Sequence, residues 1–409
     1  MPTIFSAVML FTALTGFSFL PQENIIEKLL GQLASLVFPI SITPEDLRAK
    51  HDTSKVRVLI VPGHDNKKSG ASFGGVREAD LTLQAAEELY RFLDRNNRFE
   101  VFSARDFFSG EYTPELDAYF KFREEEIKQF RNQSQAIMEA LIAAQVAEDK
   151  STLNHGFAKD DISLRLYGIN KWSNENNIDI VMHIHFNDYP RRRLSTFGEY
   201  SGFSIYVPES QYPNGLASID FAKPIFDALK EYVPVSDMPY EKAGIIEDQE
   251  LIAVGSNGSR EGVSLLIEYG YLYESQFRNA AIRKPVIEHL AFLTYQGIKE
   301  YFLKEHSDNT SETTLLPHFW DSVLEKNMRW NPHVLSLQAA LYKEGVYPPP
   351  GKDLRGCPMN GNFGSCVEEA VRLFQDKYRE EILVPVNFSE GTGIVSPLTL
   401  KKLNSLYGQ

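Results

Sequence analysis

The sequence predicts an α/β fold with a mostly parallel, twisted sheet flanked by helices, an inserted helical segment and a small all-α C-terminal domain. Three apolar stretches, residues 56–64, 178–185 and 263–268, are typical of buried strands. Amphipathic helical stretches lie between them, which is the alternation expected of a parallel sheet. Each apolar stretch ends on a histidine or a glutamate. Because the carboxyl ends of parallel strands meet at one edge of the sheet, we expect these side chains to converge there.

Length and charge limit the classes of protein to consider. A chain of 409 residues is longer than one typical core, so we expect two or more domains. The net charge of -13 argues against binding to nucleic acid, which requires clustered lysine and arginine. The run Arg191-Arg192-Arg193 is too short to alter this conclusion, and we expect it to be a solvated loop.

The N terminus is expected to direct export. Residues 1–22 are predicted to be a signal or membrane-anchor segment, because Met1 to Leu20 contains no charged side chain. The segment lacks a basic start and a clear cleavage site, and its length is near the lower limit for a membrane span. A buried N-terminal helix is the alternative. Residues 23–54 are predicted to form a helical extension that includes an amphipathic stretch over 25–37.

Residues 55–303 are predicted to form the α/β domain. Helical periodicity covers residues 79–92, 161–176 and 279–302, and further short strands are expected over 98–103 and 202–207. A helical insertion at about 108–160 interrupts this pattern, with one long or two shorter helices within 115–147. An ordinary crossover helix would be shorter. The insertion is therefore expected to be a lid, a substrate wall or an arm that docks a partner.

The C-terminal part is predicted to be a separate helical block. Residues 304–317 contain few apolar side chains and are predicted to be a linker, and residues 318–409 show several short helical patterns. The only cysteines, Cys357 and Cys366, bracket a Gly/Asn-rich loop. A disulfide between them would suit an oxidising compartment. Two free thiols and a zinc-binding pair are the alternatives, the latter disfavoured because no second Cys or His pair lies nearby.

The converging side chains are of the types that bind zinc. The Pro62-Gly63 turn ends the first strand and presents His64, while Glu78 begins the next helix, where a carboxylate also favours the helix dipole. His183 and His185 are two residues apart in a strand and so share a face. Two imidazoles and a carboxylate satisfy a catalytic zinc site, which keeps one position for water.

Hydrolysis at such a site also needs a group that moves a proton. Glu268 ends an otherwise apolar strand and is placed for this role. The alternative is a structural ion pair with Arg260 or another helix residue.

In these residues the chain resembles the zinc-dependent N-acetylmuramoyl-L-alanine amidases of type 3. The resemblance covers residues 55–302 and is specific only in combination. It implies that His64, Glu78 and His185 are the zinc ligands and that Glu268 is the catalytic carboxylate. It also makes His183, Asn187 and Arg105 candidates for contacts around the metal or with substrate. The matching segments are Pro62-Gly63-His64, Glu78, Arg105, Arg165, Asn170, His183-Ile184-His185-Phe186-Asn187 and Glu268-Tyr269-Gly270-Tyr271.

Three features depart from the family pattern. His183 stands where serine is usual, Asp65-Asn66-Lys67-Lys68 replaces the usual Gly-rich residues, and the helical insertion is long. Some members of the family have an inserted helix that blocks the zinc until a partner removes it. By that resemblance an activator protein could act on the insertion of this chain.

The C-terminal block resembles the small helical peptidoglycan-binding domain. Leu337, Leu341, Val371 and Phe374 are expected to be core residues of this block in either case. The segments that carry the resemblance are residues 334–347, Gly361-Asn362-Phe363-Gly364, residues 369–375, residues 393–400, Leu403 and Asn404.

Together with the N-terminal segment, the two resemblances imply an exported or membrane-anchored zinc amidase of the periplasm or cell wall, with peptidoglycan as its substrate. It would hydrolyse the amide between N-acetylmuramic acid and the L-alanine of the stem peptide. A zinc peptidase that cuts within the stem peptide is one alternative. A wall-binding or regulatory protein without activity is the other.

Overall fold

The structure is a computed structural model that describes residues 42–150, 158–188, 192–193, 196–303 and 313–408. The predicted signal segment, the amphipathic stretch 25–37 and most of the predicted linker lie outside the described residues. Eight strands are found in the described part: β1 (Val56–Pro62), β2 (Ser72–Phe73), β3 (Val76–Arg77), β4 (Phe99–Ser103), β5 (Ile180–Asn187), β6 (Ser204–Pro208), β7 (Ile245–Asp248) and β8 (Val263–Tyr271).

The same residues form twelve α-helices: α1 (Pro44–Thr53), α2 (Glu78–Asp94), α3 (Pro114–Phe122), α4 (Glu124–Ala143), α5 (Asp160–Glu175), α6 (Gly215–Lys230), α7 (Ser275–Arg278), α8 (Ala280–Leu303), α9 (Pro332–Lys343), α10 (Ser365–Lys377), α11 (Arg379–Ile382) and α12 (Pro397–Tyr407). Local signals explain several of their starts. Thr43 and Asp46 form a capping box at α1, and Thr113 and Asn331 cap helices that begin with proline.

The main sheet has six strands in the order β4-β1-β5-β8-β6-β7. All neighbouring pairs are parallel except β6 and β8, which are antiparallel. The three strands predicted from the apolar stretches are therefore adjacent and parallel at the centre of the sheet. The prediction of a mostly parallel sheet is confirmed, and the antiparallel β6 was not anticipated.

Helices cover both faces of the sheet. On one face Met182, Ile184 and Phe186 of β5 belong to a large core shared with α2, α6 and α8. On the other face Val181 packs with Ile169 and Trp172 of α5. His183 and His185 share the face of Val181, because alternate residues of a strand point to the same side. The insertion forms two helices, α3 and α4, which pack against α5.

The buried apolar residues of the C-terminal helices α9 to α12 belong to the same large core as one face of the sheet. Leu337, Leu341, Val371 and Phe374 are all buried, as the helical pattern predicts. Cys357 and Cys366 form a disulfide in this block, with their Cα atoms 5.9 Å apart.

These helices pack directly against the α/β part of the molecule. The rings of Tyr232 and Tyr342 lie 5.0 Å apart, and Asn360 Nδ2 donates to Ser275 Oγ at 2.8 Å. Arg355 donates to Ser201 O at 3.0 Å and forms an ion pair with Asp237 at 2.7 Å. Within the described residues, no helix is long and apolar enough to cross a membrane.

Candidate functional site

The candidate site lies at the carboxyl edge of the three central strands. His64 follows β1 by two residues, His185 is near the end of β5, and Glu268 is near the end of β8. His185 and Glu268 are direct neighbours in the sheet register. Residues separated by more than two hundred positions therefore meet at one edge, as the sequence predicts.

Glu78 at the first position of α2 joins the two histidines. Its Oε2 lies 3.0 Å from His64 Nε2, and its Oε1 lies 3.1 Å from His185 Nδ1. The three side chains offer ligand atoms that all lie within 4.8 Å of one another. Nitrogen and carboxylate oxygen ligands at this spacing fit a divalent metal such as zinc.

Two glycines make room for this cluster. A Cβ atom on Gly63 would lie 2.5 Å from His185 Nε2, and one on Gly70 would overlap Glu78 Oε2 and lie 2.6 Å from His64 Cδ2. Gly70 also has a positive φ of 68°, which favours glycine. The loop between β1 and α2 thus packs its backbone directly on the ligand side chains.

The electrostatics of the cluster keep Glu78 ionised. Burial opposes its charge, but hydrogen bonds from His185 and His64 outweigh burial and lower the pKa of Glu78 to about 2. Burial also lowers the pKa of His185, against the opposing effect of Glu78. An ionised carboxylate and neutral imidazoles are the forms that bind a metal.

Glu268 is held beside the cluster in a very different state. Burial is the largest cause that raises its pKa well above the ordinary value, and the negative charges of Glu78 and Glu241 add to it. Its buried Oε2 has no hydrogen-bond partner among the described residues. The alternative of an ion pair with Arg260 is wrong, because that guanidinium bonds to Asn174 Oδ1 at 2.7 Å and to the carbonyl of Ile178.

His183 does not join the metal-type cluster formed by His64, Glu78 and His185. It is 2% exposed, and its Nε2 has no partner among the residues described. Burial and the nearby His185 lower its pKa to about 3, so it is neutral.

Arg105 supports the site through the backbone. Its side chain is buried, and it donates to the carbonyl groups of Gly110 at 2.8 Å, Gly63 at 3.3 Å and Ala79 at 3.4 Å. Gly63 precedes His64, and Ala79 follows Glu78. Arg105 therefore ties together the two segments that carry these side chains.

Residues 65–68, which stand in place of the usual glycines after His64, have their own supports. Asp65 accepts backbone N–H groups of Lys67 at 2.8 Å and Lys68 at 2.7 Å, and it pairs with Arg165 at 3.1 Å. Asn66 donates to Ser109 O at 2.9 Å. These bonds explain how residues 65–68 keep a tight turn without glycine.

Sequence reasoning missed Glu241, which is fully buried near Glu268. Its Oε1 accepts from Asn187 Nδ2 at 2.8 Å and from Tyr206 at 2.7 Å, while its Oε2 accepts from Tyr271 at 3.1 Å. The bond from Asn187 Nδ2 to Glu241 fixes the orientation of the Asn187 amide. Glu241 lies in a loop before β7, where no periodic pattern marks it as buried.

The predicted solvated loop at Arg191-Arg192-Arg193 is wrong for Arg192, whose side chain is 4% exposed. Its guanidinium pairs with Asp188 and donates to Ser72 O at 2.8 Å. Asp188 lies close to His185 in sequence, and Ser72 lies between His64 and Glu78. Arg192 therefore links the two segments that carry these three side chains. Arg191 lies outside the described residues.

The chain was compared with curated proteins, with solved structures and with protein-family models. A search of curated proteins found no match. Similar structures include an N-acetylmuramoyl-L-alanine amidase from Clostridium difficile 630, with 17% identity, covering 62% of this chain and 100% of that chain at a TM-score of 0.38. The amidase AmiC2 of Nostoc punctiforme has 16% identity and covers 62% of this chain and 99% of its own at a TM-score of 0.38. The CwlD amidase from Clostridioides difficile, in complex with the GerS lipoprotein, has 15% identity and covers 61% of this chain and 100% of its own at a TM-score of 0.39.

A family model described as N-acetylmuramoyl-L-alanine amidase matches residues 58–300, which is more than half of the chain. The match includes all of β5 and β8, β1 from Val58 onward, and the residues His64, Glu78, His185 and Glu268. The chain therefore belongs to the N-acetylmuramoyl-L-alanine amidase family, whose members hydrolyse the amide between N-acetylmuramic acid and L-alanine in peptidoglycan.

Proposed function

We propose that this chain performs amide hydrolysis with zinc held by His64, Glu78 and His185, and with Glu268 as the group that moves the proton. The observation that carries the proposal is the convergence of three ligand atoms within 4.8 Å beside a carboxyl group whose pKa is raised. When bound, a zinc ion would polarise the scissile carbonyl and activate a water molecule for attack.

Proton transfer during hydrolysis is assigned to Glu268. Glu268 takes a proton from the attacking water and donates it to the leaving nitrogen of the L-alanine. A raised pKa suits the donating half of this cycle, and a cation at the cluster would lower the pKa enough for the accepting half. Within the described ranges no group bonds to Glu268 Oε2, which leaves this atom available for these contacts.

We propose that the C-terminal helices bind peptidoglycan and keep the enzyme on its substrate. The support is the resemblance of residues 334–347, 361–364 and 369–375 to the peptidoglycan-binding domain, together with the burial of Leu337, Leu341, Val371 and Phe374. The domain boundaries given above remain predictions.

We also propose that the protein works outside the cytoplasm. Its family acts on the cell wall, and the disulfide between Cys357 and Cys366 suits an oxidising compartment. Export or anchoring through residues 1–22 remains a prediction. An activator protein that acts on the insertion also remains a prediction, and α3 and α4 are the surfaces it would contact.

The proposal is tested with purified peptidoglycan and the Glu268→Gln variant. Wild-type protein with zinc is expected to release intact stem peptides, seen by mass spectrometry, and the variant to be about 10²–10⁴-fold slower with unchanged zinc content. Release of cut stem peptides would favour the zinc peptidase. Binding to wall without clearance by either protein would favour a non-catalytic role. Anomalous scattering at the zinc edge would test the three ligands.

A further inference from the structure

We propose that an arginine-aromatic platform beside the cluster of His64, Glu78 and His185 binds a free carboxylate of the stem peptide. This inference rests on the proposed function. The platform consists of Phe73, Phe197 and Arg278, with Arg192 and Tyr273 beneath it. Arg278 provides the charge, and Phe197 supports its guanidinium.

The exposed part of the platform is an arginine stacked on phenylalanine rings. The Cζ atom of Arg278 lies 5.0 Å from the ring centroid of Phe197 and 5.9 Å from that of Phe73, and the two rings lie 5.2 Å apart. Phe197 is 59% exposed. Among the residues described, no carboxylate or carbonyl group contacts the Arg278 guanidinium. Its positive charge is therefore available to a ligand.

Arg192 has a different part in the platform. It lies 5.1 Å from the Phe73 ring and 5.5 Å from the Tyr273 ring, and its Nη2 donates to Asp188 Oδ2 at 3.0 Å. Its charge is neutralised by Asp188. Arg192 thus holds Phe73 in place, while Arg278 has no ion-pair partner in the part of the chain that the structure describes.

The platform lies within a few residues of the metal ligands on both sides. Phe73 lies three residues after Gly70, and Gly70 packs against Glu78. Asp188, the partner of Arg192, lies three residues after His185. Three residues span at most about 11 Å when fully extended. The second or third residue of a stem peptide whose first amide lies at the metal can therefore reach the platform.

The chemistry of the platform suits a carboxylate. The chain carries a net charge of -13, so an anionic peptide needs a local cation to be held near the site. A guanidinium presents a planar fork of donors that matches a carboxylate with two hydrogen bonds. Stacking on Phe197 limits the orientations of this fork, which reduces the entropy lost when the ligand binds.

The experiment compares muramoyl tripeptides that differ only in whether the side carboxyl group of the second or third residue is free or amidated. For the wild type, one free carboxylate is expected to lower KM about tenfold with little change in kcat. Arg278→Gln should abolish this preference. Arg95→Gln is the matched control, because Arg95 is an exposed arginine at the far end of α2, and it should retain the preference.

The outcomes separate this inference from the proposed function. If the wild type hydrolyses the free and amidated peptides with equal KM, or if Arg278→Gln weakens both equally, the platform is not a carboxylate site and the amidase proposal stands. Calorimetric binding to the Glu268→Gln protein gives a second readout that needs no turnover. A binding preference that depends on Arg278, without hydrolysis by the wild type, would support the platform and overturn the amidase proposal. The absence of any preference in binding would overturn the platform.

Discussion

Replacing Gly70 by alanine should disrupt the metal cluster through one added methyl group. The new Cβ would overlap Glu78 Oε2 and lie 2.6 Å from His64 Cδ2, whereas ordinary contacts begin at 3.4 Å. The His64 ring would have to move by about 0.8 Å, and metal-ligand distances tolerate only about 0.2 Å. We expect zinc affinity to fall about 10–100-fold, as happens when ligand supports are removed.

Gly74→Ala is the control for this prediction. Gly74 has a positive φ of 57° and no heavy atom within 4 Å of an added Cβ, so it carries the backbone strain without the overlap. Both variants should lose about 1–2 kcal/mol of stability from that strain. Zinc affinity by competition with a chelating dye and the midpoint of urea unfolding separate the two effects. Equal zinc affinity in the two variants would refute the packing of Gly70 on the ligands.

Three further predictions concern buried groups. The variant Glu241→Gln should lower kcat about 10–100-fold at unchanged zinc content. It should also move the acidic limb of the pH-rate profile to lower pH, because the charge of Glu241 no longer raises the pKa of Glu268. An unchanged profile would contradict this coupling. Burial lowers the pKa of His289 to about 3. Below pH ~6.5 the unfolded chain therefore binds a proton that the native state does not, and the free energy of unfolding falls by about 1.4 kcal/mol per pH unit until the pH nears 3. The variant His289→Phe should remove this part of the pH dependence, measured by urea unfolding from pH 7 to 4.5. Reducing the disulfide, or the double variant Cys357→Ser with Cys366→Ser, should cost about 3 kcal/mol of stability in the C-terminal helices, checked by urea unfolding with and without reductant.

The sequence allowed prediction of the metal-type cluster because its parts follow strong local signals. His64 follows an apolar run and a Pro-Gly turn, Glu78 begins a clear amphipathic helix, and His185 ends another apolar run. The rule that parallel strands share a carboxyl edge then places these segments together without any knowledge of their contacts. The structure adds the distances between the three side chains.

Residues that depend on irregular segments could not be predicted in this way. Glu241 lies in a loop, and its burial results from three donors on β5, β6 and β8 that only the folded sheet brings together. Helix α6 was missed because Pro224 lies in its interior, where proline normally argues against a helix. Strand β7 offers only Ile245 and Ile246 as apolar signals at the edge of the sheet.

The contacts of the C-terminal helices change how wall binding would assist catalysis. A module on a flexible linker raises the local concentration of substrate but leaves its direction free. Here Arg355 binds Ser201 and Asp237, which lie in the segments that lead to β6 and to the Glu241 loop. A peptidoglycan strand bound by these helices would therefore approach the cluster of His64, Glu78 and His185 in one orientation. In the proposed function, the C-terminal block would select which stem peptide reaches Glu268 as well as hold the enzyme on the wall.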